Sequence, residues 1–197
     1  MRHRWGVLLC GAVMGFSACG DDDDPASTTD AADTMDTSDM AAVETPCTRA
    51  GGASVVAGLI YDKVNPANPD TLVGVFAGDC RINAFFAVPK AALDHVGECL
   101  TTQVQELFGC PGVTYAGSKS STGRDCRDMK TSHTGLQISQ GDFDAMIEDI
   151  AGFVQPLVEA GVLTNDEFTA AAGVLVGMGP DIVEQGNVSE PTKDACE

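Results

Sequence analysis

The sequence predicts an all-α domain carried on an exported, acidic stalk. Three observations predict the fold class. Apolar residues recur at three- and four-residue intervals, and no stretch sustains period-two alternation. Two helix starts are also written out, each as an N-cap hydroxyl followed three positions later by an acid.

The first element is not part of the fold. Arg2 and Arg4 precede an apolar run, Trp5 to Phe16, that is too short to span a bilayer. Ser17 and Ala18 then lead into Cys19. This is the layout of a bacterial lipoprotein signal over residues 1–18, with Cys19 as the lipidation site. A plain secretory signal is the alternative, and both readings export the chain. The expected location is the bacterial cell envelope, on the periplasmic side or the cell surface. Partner expectations follow: a membrane reached through the lipid on Cys19, with the diacylglycerol and acyl chain giving stable anchoring.

Residues 19–46 are acidic and rich in Ala, Ser and Thr, with no Lys, Arg or aromatic residue. Such a segment cannot bury enough apolar surface to offset its ordering entropy, so it reads as a disordered linker. Asp21 to Asp24 read as a solvated charge run rather than a calcium site. The net charge of −18 leaves no basic footprint for a nucleic acid.

Residues 47–197 are enough for one domain. Val55, Val56, Leu59, Ile60 and Val64 form a first apolar stripe, broken by Pro66 and Pro69. Leu72, Val73 and Phe76 mark a short second helix, and Ile82, Phe85 and Phe86 an apolar turn. Leu93, Val96, Leu100, Val104 and Leu107 lie on one face of a third helix, stopped by "GCPG" at residues 109–112. A loop rich in Gly, Ser and Lys follows to about Asp128. Ser139 with Asp142 opens a long helix that carries Phe143, Met146, Ile147, Ile150, Phe153, Val154 and Leu157 inward, with Pro156 as a candidate kink. Thr164 with Glu167 opens the last helix, with Phe168, Val174, Leu175, Met178 and Ile182 inward and a candidate break at Gly179–Pro180. Five to seven helices are expected.

Cys47, Cys80, Cys99, Cys110, Cys126 and Cys196 remain once Cys10 and Cys19 are set aside. In an exported chain they read as disulfide partners, with the connectivity open. A Cys47–Cys196 bridge would close the domain. A Cys99–Cys110 bridge would staple the third helix to the next loop. Cys126 could tether the loop that contains it. No CxxC pair is present.

Several segments resemble group I truncated haemoglobins. "TRAGG" (48–52) is similar to that family's opening, and "RINAFF" (81–86) to its turn with a paired Phe. "GCPGVTYAG" (109–117) is similar to its "GGP…YTG" loop. "GRDCRDMKTSHTGLQISQGDFDAMIEDI" is similar to its proximal segment, "GRDMKxxHxGxxIxxxDFDxxVxxL", and is the specific match. The resemblance covers about residues 47–184. It implies a truncated-globin two-over-two helical sandwich holding a haem b, with His133 as the proximal metal ligand. It also implies that Phe86 packs on the porphyrin and that Val96 and Leu100 occupy its distal side. Tyr115 and Lys130 would lie near the propionates, and Ile138, Phe143 and Met146 would be apolar contacts. Core packing alone is the alternative for the apolar positions.

The sequence departs from the family on the distal side. Leu100 stands where a Gln is common, and Ile60 or Val73 where a Tyr is common. The "NPANPDT" insertion shifts the register there, so Tyr61 and His95 are the candidate distal residues. The alternative for His95 is a surface imidazole beside Asp94. The insertion "SKSSTGRDC" before the proximal segment also has no family counterpart.

The resemblance implies a haem protein on the envelope that binds a diatomic gas: O2, NO or CO. It names no redox partner. Two other readings stand beside it. One is peroxidase-like chemistry at the same haem, with His95 the sole acid–base candidate. The other is a haemless, disulfide-stapled globin-fold lipoprotein with a structural or binding role.

Overall fold

The computed structural model describes residues 44–184 and 186. The signal, Cys19, the linker up to residue 43, Cys10 and Cys196 lie outside the described residues. Eight α-helices and one 3₁₀ turn make up the described chain. Its one β contact is an isolated bridge between Lys119 and Asp125. No helix among the described residues is long and apolar enough to cross a membrane.

Helix α1 (Pro46–Arg49) starts where Thr45 accepts a hydrogen bond from Thr48 N at 3.3 Å, with Pro46 in the first turn. Pro46 is therefore the first helical residue. Gly51 and Gly52 have φ values of 99° and 100°, which a side chain rarely tolerates, and they turn the chain into α2 (Ala53–Ile60). The first apolar stripe does not reach Val64, which is 94% exposed. Asp62 Oδ1 accepts from Val64 N and Asn65 N, both at 2.9 Å, and this local turn competes with the helix.

Helix α3 (Leu72–Gly78) is capped by Thr71, and the 3₁₀ turn Asn83–Phe85 follows. Helix α4 (Lys90–Leu107) is next, then the loop to Asp128, which caps the five-residue α5 (Met129–His133). Both expected capping boxes are present, Ser139/Asp142 on α6 (Gln140–Glu159) and Thr164/Glu167 on α7 (Asn165–Gly177). Helix α6 continues through Pro156 for another turn. The break near Pro180 is real: α7 ends at Gly177 and α8 (Gly179–Ile182) begins with Pro180 in its first turn. The count exceeds the expected five to seven because α1 and α8, at four residues each, are too short to carry an apolar stripe.

Helix α2 packs on α4, α6 on α7, α3 on α6, and α5 on α8. The close approach of α2 and α4 depends on Gly97, because a Cβ there would overlap the Tyr61 ring. Buried apolar residues fall into three clusters rather than one. Ile60, Leu72, Val73, Phe76 and Ile82 anchor the first. Cys47, Val56, Phe108, Cys110 and Leu163 form the second, and Ile138, Phe143 and Ile182 the third.

The disulfides differ from the pairings the sequence suggested. Cys47 is bonded to Cys110, with Cα atoms 5.1 Å apart, not to Cys196. Cys99 is bonded to Cys126, with Cα atoms 5.4 Å apart, not to Cys110. Spacing along the chain misled here, because packing carries Cys110 back to α1, where Cys47 N donates to Phe108 O at 2.9 Å. Cys80 is also disulfide-bonded. Cys126 does tether its loop, to the middle of α4.

Candidate functional site

A cavity of about 480 Å³, within the size range of small-molecule and cofactor sites, is lined by residues of all three apolar clusters. Each cluster supplies part of its wall: Ile60 and Phe76 from the first, Val56 and Leu163 from the second, Ile138 and Phe143 from the third. Several side chains that look like exposed apolar surface open into it. Val96 is 43% exposed and Leu136 42%, and both line the cavity, as do Val88 and Leu107. Apolar side chains exposed toward a concavity mark a ligand-binding surface rather than ordinary scatter.

His133 sits at the end of α5 and lines the cavity. Its Nδ1 is 2.7 Å from the backbone oxygen of Met129. A carbonyl can only accept, so Nδ1 carries a proton and Nε2 is the ring nitrogen left to bind a metal. Nε2 has no hydrogen-bond partner among the described residues. This is the arrangement by which a backbone carbonyl fixes the tautomer and orientation of a metal-binding histidine.

The segment after His133 is held firmly. Gln137 adopts a φ of 58°, an uncommon left-handed turn for a residue other than glycine. The Glu184 carboxylate accepts from Gly135 N at 2.6 Å and Gln137 N at 2.7 Å, and these bonds hold its pKa below the usual range. Glu184 N in turn donates to Ile138 O at 2.8 Å. The C-terminal end of the described chain thus locks the α5–α6 turn, which explains why α5 packs on α8. No local signal in the sequence announces this long-range clamp.

Of the residues expected to contact a cofactor, Phe86, Val96, Leu100, Tyr115, His133, Ile138, Phe143 and Met146 all line this one cavity. Phe86 also stacks on Phe76, with ring centroids 5.4 Å apart. The Tyr115 hydroxyl donates to Arg127 O at 2.6 Å, and burial raises its pKa. Lys130 is exposed and does not line the cavity. It shares α5 with His133, but its side chain stands outside the cavity wall.

The candidate distal residues separate. Tyr61 does not line the cavity. Its hydroxyl donates to Asp94 Oδ1 at 2.5 Å, and burial together with Asp94 raises its pKa. Asp94 also pairs with Lys90 at 2.6 Å, so the phenol is committed to the outer side of α4. His95 does line the cavity but is not a surface imidazole: it is 9% exposed, and its Nδ1 lies 2.9 Å from Ser120 Oγ. Burial lowers its pKa, and Arg124 and Arg127 lower it further, so the ring is neutral at pH 7.

Sequence reasoning missed four polar wall residues, among them Ser132 on α5. Gln103 is on α4 between the expected Leu100 and Leu107, and Arg124 and Arg127 come from the loop before α5. The spacing 96, 100, 103, 107 is a single helix face and could have flagged Gln103. The arginines sit in or beside an insertion with no periodic signal.

Among the described residues no group of three or more His, Cys, Asp or Glu is placed to hold a metal ion by side chains alone. A haem iron differs in needing a single axial side chain, so the His133 arrangement fits it. No protein-family model matches the chain, and no curated protein matches it.

Proposed function

We propose that the domain binds a b-type haem in the cavity, with His133 Nε2 as its axial ligand, and that the opposite face receives a diatomic gas. The observation that carries this reading is the His133–Met129 hydrogen bond at the wall of a large apolar cavity. A locked imidazole facing an apolar slot is what haem ligation requires. The packing of α2 on α4 and of α6 on α7 supports a two-over-two truncated-globin sandwich as the architecture. When bound, haem would supply an iron able to take O2, NO or CO.

The chain's own residues divide the rest of the work. Phe86 and Phe76 offer an aromatic wall, and Ile138, Phe143 and Met146 pack the side from which His133 reaches the cavity. Val96 and Leu100 keep the α4 face dry. Gas binding is favoured over acid–base chemistry because the Nδ1 of His95 is already engaged by Ser120. The peroxidase-like reading is correspondingly weaker. Export through the signal and anchoring through Cys19 would present the domain on the cell envelope.

Titration of the purified, oxidised domain with haemin tests the proposal. A Soret band that saturates at one haemin per chain, and that shifts when CO is added to the reduced sample, is expected. No Soret band under oxidising or reducing conditions would overturn it and favour a haemless binding module.

A further inference from the structure

We propose that the inserted loop, residues 118–126, is a ligand-recognition strap, and that Arg124 on it binds a carboxylate of the cavity's ligand. The inference rests on the haem reading above and specifies how the ligand is oriented.

Two independent features of the loop lead to it. The first is charge. The chain carries a net charge of −18, and most described basic side chains have found an acid. Arg49 pairs with Glu167, Arg81 with Asp79 and Glu148, Lys63 with Glu98, Lys90 with Asp94, and Lys119 with Asp125. Arg124 and Arg127 have no ion-pair partner among the described residues, yet both line the apolar cavity. Lys130 is also unpaired but stands outside the cavity. Arg127 acts on the neighbouring Asp128, which leaves Arg124 as the cavity-lining arginine with no acid of its own. In a strongly acidic protein such a side chain suits an anion. Asp142, the one carboxylate in the cavity wall among the described residues, is engaged with Ser139 at the α6 cap.

The second feature is rigidity. The loop is fastened to α4 along its length. Cys126 is bonded to Cys99, Ser120 Oγ meets His95 Nδ1 at 2.9 Å, and Ser121 Oγ donates to Glu98 at 2.7 Å. Glu98 also pairs with Lys63 at 2.7 Å. Inside the loop, Cys126 N donates to Ser118 O at 2.9 Å and Ser120 N to Arg124 O at 3.0 Å. The Arg124 backbone is thereby fixed against the wall of the cavity. The bracing holds Arg124 beside an apolar cavity. A ligand with an apolar body and carboxylates on one edge fits both features, and haem with its two propionates belongs to that class.

The experiment compares haemin with haemin dimethyl ester, which keeps the macrocycle and iron but lacks the carboxylates. Both are titrated into the oxidised domain and into Arg124→Gln and Arg124→Lys, with the Soret band as readout. The wild type should prefer the diacid by about tenfold or more, as expected for a charge-assisted contact. Arg124→Gln should lose most of that preference while its affinity for the ester stays the same, and Arg124→Lys should recover part of it. A circular-dichroism melt unchanged by the substitutions would show that the exposed Arg124 is not acting through the fold. Equal binding of the two compounds by the wild type, or an undiminished preference in Arg124→Gln, would overturn the role of Arg124 and leave the haem reading standing. Failure of the wild type to bind either compound would overturn both.

Discussion

His133 and Met129, four residues apart in α5, are joined by a 2.7 Å hydrogen bond from the imidazole Nδ1 to the backbone carbonyl. The bond uses the one ring nitrogen that cannot then bind a metal and leaves the other open at the cavity wall. The Glu184 clamp on the following turn keeps that short helix in place. Function on this account depends on a five-residue helix whose position is set by residues about fifty positions away in the chain.

Removing the Tyr61 hydroxyl separates stability from ligand chemistry. Tyr61→Phe breaks the hydrogen bond to Asp94 and should cost about 1–2 kcal/mol in urea unfolding. Because Tyr61 does not line the cavity, CO and O2 affinities of the reconstituted protein should stay within about twofold of wild type. A large rise in the O2 dissociation rate would instead return Tyr61 to the distal side.

Gly97→Ala tests the α2–α4 contact. The added methyl would collide with the Tyr61 ring, which is held by Asp94 and cannot swing aside cheaply. Destabilisation of about 1–3 kcal/mol is expected from overpacking. Gly152→Ala on α6, where a Cβ meets open space, should be neutral or mildly stabilising by comparison.

Stability should fall as pH rises through about 6. Burial, and then the negative charge of Asp79, raise the Asp149 carboxyl from 3.8 to about 6. Oδ2 of Asp149 is buried with no hydrogen-bond partner while both acids are ionised, and a proton there lets Asp149 donate to Asp79. The folded state therefore holds this proton more tightly than the unfolded chain. Its contribution is complete below about pH 4 and is lost as pH climbs through about 6. Arg81 lowers the pKa of Asp79, so the Asp79 contribution changes at more acid pH. His95, whose pKa burial lowers, contributes with the opposite sign near pH 6, so the comparison with Asp149→Asn is what isolates the Asp149 contribution. Urea melts should show roughly 1–2 kcal/mol less stability at pH 7.5 than at pH 5 from this group. Asp149→Asn should flatten that difference, and an unchanged profile would contradict the assignment.

Peptide mapping without reduction should yield Cys47–Cys110 and Cys99–Cys126 as linked pairs. Cys47→Ser with Cys110→Ser should cost about 4 kcal/mol, on the chain-entropy estimate for a loop of 63 residues. A linked Cys99–Cys110 peptide would contradict the structure.

The sequence made the helices legible where local chemistry decides them. The Ser139 and Thr164 caps, the stripe on α4 and the break before Pro180 are all local, and each appears in the structure. Helical spacing made the apolar stripes legible, Val96 with Leu100 and Phe143 with Met146, whereas Phe86, Tyr115, His133 and Ile138 were singled out through the family resemblance. Long-range choices were not legible. The cysteine pairing depends on how α1 meets the end of α4, and the loss of Tyr61 from the site depends on a hydrogen bond across 33 residues. Lys130 and Arg124 make the same point: charge type was readable, but the side of the cavity was set by a braced insertion with no periodicity.

The most direct test of the central claim is a haemin titration of the wild type beside His133→Gly, with and without added imidazole. The account predicts a saturable Soret band for the wild type and at least a tenfold loss of affinity in the variant, with the spectrum restored when imidazole fills the vacated space. A His133→Gly protein that binds haemin with the wild-type affinity and spectrum, indifferent to imidazole, would contradict it.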